Sequence, residues 1–303
     1  MSAPHSRRLR ADLALALCTL FWGATFVVVK SALASSSVFV FMALRFSLAA
    51  LILAALHWRA LRVMTRAELW AGVQIGMLMF GGYVFQTTGL LTTTPTKAAF
   101  ITGAGVVLVP IFLALFWGRR SNPLLWAGAI AAFAGLYFLT VPPGGFRGLV
   151  IGDVLCFGCA VVFAFQIIAV AHYSRRHSVG ALSFVQVATT GVLSLLCVPL
   201  LAWARVQPAW LHWNLTLIAD VLITAVLATA LAFTIQMWGQ RYTTATHAAI
   251  LFSLEPVFAA ITSYIVMRER WGVRSILGAL LILLGIVLAE LKGPAPSPAE
   301  SAA

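Results

Sequence analysis

QTTGLLTTTPTKAAF, residues 86–100, is echoed by QMWGQRYTTATHAAI, residues 236–250. At a constant shift of 150 positions, Gln86 meets Gln236 and Gly89 meets Gly239. Thr93, Thr94 and Thr96 meet Thr243, Thr244 and Thr246, and Ala98-Ala99 meets Ala248-Ala249. Further on, Arg120 meets Arg270, Gly128-Ala129 meets Gly278-Ala279, and Gly135 meets Gly285. Upstream the register changes, and Asp12 corresponds to Asp153; the extra residues of the second half fit the loop around VQPAWLHWN. The chain is thus one unit written twice.

Composition says where that unit lives. Of 303 residues, 62% are hydrophobic and 9% charged. A soluble chain carries about 25% charged residues, so the class is integral membrane. The net charge of +12 does not point to nucleic acid, because the basic residues fall in short clusters between apolar runs. That distribution suits loops facing anionic lipid headgroups.

A span needs about 20 mostly apolar residues. Ten are expected, at 12–33, 38–57, 67–89, 96–117, 123–140, 149–172, 179–203, 216–240, 243–267 and 271–291. All should be helices, since a span must satisfy its own backbone in lipid. The fold expected is therefore all-α integral membrane, with ten transmembrane helices as two five-helix inverted-topology repeats. Five is odd, so the second repeat enters the bilayer upside down, and such folds hold substrate near the midplane between the halves. The division is a cytoplasmic N-terminal segment at 1–11, a first repeat at 12–140, a linker at 141–148, a second repeat at 149–291 and a disordered cytoplasmic tail at 292–303. The apolar run Leu13 to Val29 exceeds the ~7–15 residues of a secretory signal core, and reads as an uncleaved first span. Arg and Lys are denser on the side of the N-terminus, which puts both termini in the cytoplasm of a multi-pass inner-membrane protein. RERWGVR at 268–274 runs against that bias.

LFWGATFVVVK (20–30), MALRFSLAALIL (42–53), TKAAFITGAGVVLVP (96–110) and the run from Ala248 to Leu291 resemble the two repeats of EamA-type members of the drug/metabolite transporter superfamily. The resemblance covers about residues 11–291. It implies ten helices, both termini inside, and efflux or uptake of small metabolites, amino acids among them. One departure stands out. The acidic-basic pair after span 9, Glu269-Arg270, is replaced after span 4 by Arg119-Arg120.

Among polar residues inside spans, Glu255 leads. It lies near the centre of span 9, where an acid costs about 2.5–3.5 kcal/mol and usually faces a cavity or a partner. It is a candidate both for proton coupling and for anchoring a substrate ammonium. Pro256 beside it removes an N–H and should leave the carbonyl of Phe252 unpaired, so the acid could instead serve a kink. Its counterpart 105 is Gly, which supplies space where the second half supplies charge. Trp22, Tyr83, Gln86, Thr102, Phe163, Gln166, Gln236 and Trp238 have the aromatic and amide makeup of a pocket wall. Lys30 and Arg45, near the outer ends of spans 1 and 2, either snorkel or form an outer vestibule for an anionic group. Gly128, Gly135, Gly278, Gly285, Gly72 and Gly76 read as close-packing surfaces.

No cofactor is implied and no enzyme. The chain has no phosphate-cradling G-x-x-x-x-G-K-[ST], no G-x-S-x-G and no H-E-x-x-H. Cys156 and Cys159 have only helical i, i+3 spacing and no accompanying His, so no metal is expected. The reading is a secondary transporter, an exporter or exchanger, of small organic metabolites such as amino acids or drug-like amphipathic solutes, working by alternating access. The alternatives are a lipid or lipid-linked sugar translocator, and a non-transporting membrane sensor or assembly subunit. Partners are a small-molecule substrate and the bilayer, with oligomeric state open.

Overall fold

The structure is a computed structural model that describes residues 3–119, 122–142, 144–145, 148–205, 208–267 and 272–291. Arg120, Arg147, the Arg268–Trp271 stretch with Glu269 and Arg270, and the expected tail at 292–303 lie outside the described residues.

Every regular element among the described residues is helical. In the first half these are α1 (Ala3–Ala32), α2 (Val38–Arg62), α3 (Arg66–Gly89), α4 (Pro95–Thr102), α5 (Gly105–Trp117) and α6 (Pro123–Thr140). In the second they are α7 (Ile151–Tyr173), α8 (Val179–Trp203), α9 (Leu215–Ala225), a π-turn (Val226–Leu231), α10 (Ala232–Gln240), α11 (Ala245–Phe252), α12 (Glu255–Met267) and α13 (Val273–Leu291). Among the described residues, eight helical segments are long and apolar enough to cross a membrane, and Val273–Ala289 is a shorter apolar helix. α3, with Gln74, Gln86, Thr87 and Thr88 along it, is not among the eight.

Side-chain caps start many of these helices. Thr65 and Glu68 form a reciprocal capping box at α3; Asn122, Ser178 and Asn214 accept from the first turns of α6, α8 and α9. The echoed threonines act in the same way. Thr94 accepts from the Lys97 amide and Thr244 from the His247 amide. Each replaces an intrahelical partner that a first turn lacks.

Both sequence registers reappear as contacts between the halves. Gly128 lies against the Gly285 carbonyl and Gly135 against the Gly278 carbonyl, so α6 and α13 pack antiparallel at backbone distance. Gly89 abuts Gly152 and Cys156, as Gly239 abuts Ala11 and Leu15. The ends are tied in the same pattern. Lys97 Nζ pairs with Asp153 Oδ2 at 2.5 Å, and His247 Nε2 with Asp12 Oδ1 at 3.3 Å. Residue 97 corresponds to 247 and residue 153 to 12, so one position pair bridges the halves at both ends.

The expected continuous spans 96–117 and 243–267 are each broken. α4 stops before Gly103-Ala104 and α11 before Ser253-Leu254, at corresponding positions. In the second half the chain tightens into i→i+3 bonds, Ser253 N to Ile250 O at 3.1 Å and Leu254 N to Leu251 O at 3.0 Å. Ala104 N to Ile101 O at 3.1 Å does the same in the first half. The first-half break has no proline, so Pro256 is not its general cause. Pro256 instead sits in the first turn of α12, where its missing N–H is harmless.

Valine at Gly135 would drive its Cβ to 2.5 Å from the Gly278 carbonyl oxygen and 2.7 Å from Ile282 N. Backbone cannot yield as a flexible side chain does. Gly135→Val is expected to cost about 1–3 kcal/mol, read as a lowered melting temperature in detergent. Gly105→Ala, whose added Cβ meets nothing within 4 Å, should leave that temperature unchanged.

Candidate functional site

Between the two breaks lies a cavity. Glu255 opens α12 on one side of it and Gly105 opens α5 on another. About ten residues separate Glu255 from the start of α11, which at ~1.5 Å per residue is half the ~30 Å depth of a hydrocarbon core. An acid in the first turn of a helix faces the positive end of the helix dipole. Gly23 is pressed against this same turn, with the Glu255 carbonyl and Ala259 N in the space a Cβ would need. The Trp22-Gly23 pair of α1 therefore places an aromatic wall and a backbone-close contact side by side.

The cavity gathers Trp22, Tyr83, Gln86, Thr102, Phe163, Gln166, Gln236 and Glu255. Trp22 packs on Phe233 and Phe252, both with ring centroids at 5.3 Å. Tyr83 meets Phe163 edge-on at 5.4 Å. Gln166 and Gln236 exchange amide hydrogen bonds at 3.4 and 3.2 Å; Gln236 is thus satisfied by α7 rather than by its counterpart Gln86. Trp238 does not join the set. It faces Tyr242 at 5.4 Å and is not part of the described lining.

Of Lys30 and Arg45, expected together near an outer mouth, Arg45 alone is in the described lining of the central cavity. Lys30 Nζ donates to the carbonyls of Leu90 and Thr93, just beyond the C-terminus of α3, where a cation is favoured. Arg45 is 2% exposed and lines the central cavity. It does not snorkel because acceptors hold it inside. Arg45 Nε donates to Thr229 Oγ1 at 2.7 Å, and Nη2 donates to Tyr83 Oη and the Ala228 carbonyl, both at 3.3 Å. The guanidinium also lies 4.9 Å from the Tyr83 ring centroid and 5.1 Å from that of Phe46, a cation–π arrangement. Among the described residues no ion pair joins Arg45 or Glu255 to another side chain.

The π-turn supplies what the sequence did not announce. Ala232 N reaches back to Leu227 O, and the Ala228 carbonyl accepts from both Trp22 Nε1, at 3.1 Å, and Arg45 Nη2. Thr229 Oγ1 donates to Thr224 O at 2.8 Å, across five residues. Such turns recur at functional sites. The five-residue spacing of Thr224 and Thr229 is the trace it leaves in the sequence. Phe233 and Phe252 also belong to the wall, and nothing in residue type separates them from the other phenylalanines among the twenty in the chain.

Apolar helices long enough to cross a bilayer, arranged around a cavity with a cation and an acid in its wall, define a multi-pass membrane protein of the transporter class. The chain belongs to the EamA-like transporter family, which matches it over residues 9–141 and 150–291. An uncharacterized transporter of Archaeoglobus fulgidus is 39% identical over 286 residues, covering 94% of this chain and 87% of that protein. The threonine/homoserine exporter RhtA of Escherichia coli is 26% identical over 186 residues, 61% of this chain and 58% of that one. A crystal structure with 21% identity superposes at a TM-score of 0.77, covering 94% of this chain and 97% of its own, and shows the same fold.

Since a side chain at 105 would project into open space, Gly105→Leu should occupy the cavity without displacing its walls. Uptake into proteoliposomes is expected to fall at least tenfold, with the melting temperature held near that of the unaltered protein.

Proposed function

We propose that the protein is a secondary transporter, an exporter or exchanger, of small zwitterionic or amphipathic metabolites, amino acids foremost. The observation that carries this reading is the pair Arg45 and Glu255 in the wall of one cavity, neither joined to a side chain of opposite charge among the described residues. Taking a charge out of water is costly unless it is paired. A solute with a carboxylate and an ammonium supplies both partners at once, and the aromatic wall of Trp22, Tyr83 and Phe163 shelters its apolar part. The likeness to a threonine/homoserine exporter supports the same class.

In this reading residues 12–140 and 149–291 are two five-helix repeats of opposite topology, ten spans in all, joined by 141–148. The spans lie in the cell (inner) membrane, and both termini stand in the cytoplasm. The matched contacts at both ends, Lys97–Asp153 and His247–Asp12, suit halves that rock about the glycine seam of α6 and α13. Glu255 is the coupling group, exchanging a proton or an ammonium as access alternates. Gln86, Gln166, Gln236 and Thr102 provide the remaining polar contacts.

Counterflow of labelled amino acids in proteoliposomes tests this. Glu255→Gln keeps the shape and removes the charge. Flux is expected to drop at least tenfold, ~1.4 kcal/mol, and to lose its dependence on pH. Unchanged flux with an unchanged pH profile would remove Glu255 from the mechanism.

A further inference from the structure

A second cavity opens at the end of the bundle where His247 meets Asp12, between α3, α5, α7 and α11. Its described lining includes Arg119, Arg175 and His172 and no carboxylate. Arg176 follows Arg175 directly in the chain. Arg175 is oriented by a 2.8 Å bond from Nη2 to the Thr243 carbonyl.

Two helices begin at the rim of this cleft. Asn122 caps α6 and Thr244 caps α11, and both residues line the cavity. The amide-rich start of a helix attracts anions, phosphate above all. Gln74, also in the lining, accepts from Tyr173 Oη at 2.7 Å. Outward, the wall continues along α5 through Trp117, 50% exposed, and Phe116, 58% exposed. A polar, cationic recess thus meets an apolar helix face open to the bilayer.

We infer that this cleft binds the phosphate of an anionic phospholipid headgroup, with Arg119 and Arg175 as its ligands and the acyl chains along α5. Free phosphate shares the recognition chemistry but has no use for the apolar wall. Basic recesses between transmembrane helices are suited to such headgroups, and the inference does not depend on what the central cavity carries.

Native mass spectrometry and thermal unfolding of the full chain in detergent, titrated with phosphatidylglycerol, phosphatidylcholine of matched chains, or inorganic phosphate, test it. Phosphatidylglycerol should bind and raise the melting temperature, and phosphatidylcholine, whose phosphate is offset by its own choline cation, should do so much more weakly. Arg119→Gln with Arg175→Gln should weaken phosphatidylglycerol binding at least tenfold. Arg59→Gln with Arg62→Gln, on α2 away from the cleft, should not. If the double cleft variant is poorly folded, Arg119→Gln alone, at a half-buried position, should still weaken binding several-fold. Equal binding of the two lipids, or cleft variants that bind as well as the unaltered protein, would overturn the assignment. So would inorganic phosphate stabilising the protein as strongly as the lipid does.

Discussion

A backbone that breaks at membrane depth has to find partners for its freed groups, and this requirement shapes the centre of the molecule. Hydrocarbon offers no water to satisfy them. At Ser253-Leu254 the chain meets it with tightened turns and the Ser253 hydroxyl, which donates to Ile250 O at 2.5 Å. The next residue is an acid, at the end of a helix where negative charge is favoured. The one after is a proline, at a place where no amide is needed. Glu255 and Pro256, which look like two penalties in an apolar run, are together the first turn of a new helix.

The same break in the first half has neither residue. Gly103, tightly approached by the Leu136 side chain, and Gly105 stand there instead. The scaffold is therefore common to both halves, and the chemistry is not. Gly105 stands where Glu255 does, Lys97 where His247 does. The π-turn in the second half has no counterpart in α3, and its consequence is the seat of Arg45. Symmetry fixes where the helices bend; its local violations put charge into the cavity.

Much of this is legible in the sequence. Helix positions follow from apolar runs, and the repeat registers that set Gly128 on Gly278 and Asp12 on Asp153 reappear as paired contacts. Glu255 and most of the aromatic and amide residues named with it do share one cavity. What escapes is geometry internal to a helix. Hydropathy cannot separate a continuous span from two half-helices, because the break at Gly103-Ala104 is as apolar as its flanks. Nor can it see a π-turn, so distance from a span end sets Arg45 at an outer mouth, whereas the acceptors at Ala228 and Thr229 draw it inward. Trp238 shows the converse: residue type alone suits the pocket, but its place on α10 turns it toward Tyr242.

Gly105 is buried, yet a Cβ there would touch nothing within 4 Å. In the proposed reading, fold and cargo are uncoupled at that site. With the cavity holding the solute as proposed, a change at this one codon alters the size of the chamber at a point where an added Cβ meets no neighbour. A doubled scaffold with one vacant seat is a means by which a single architecture diversifies in what it carries.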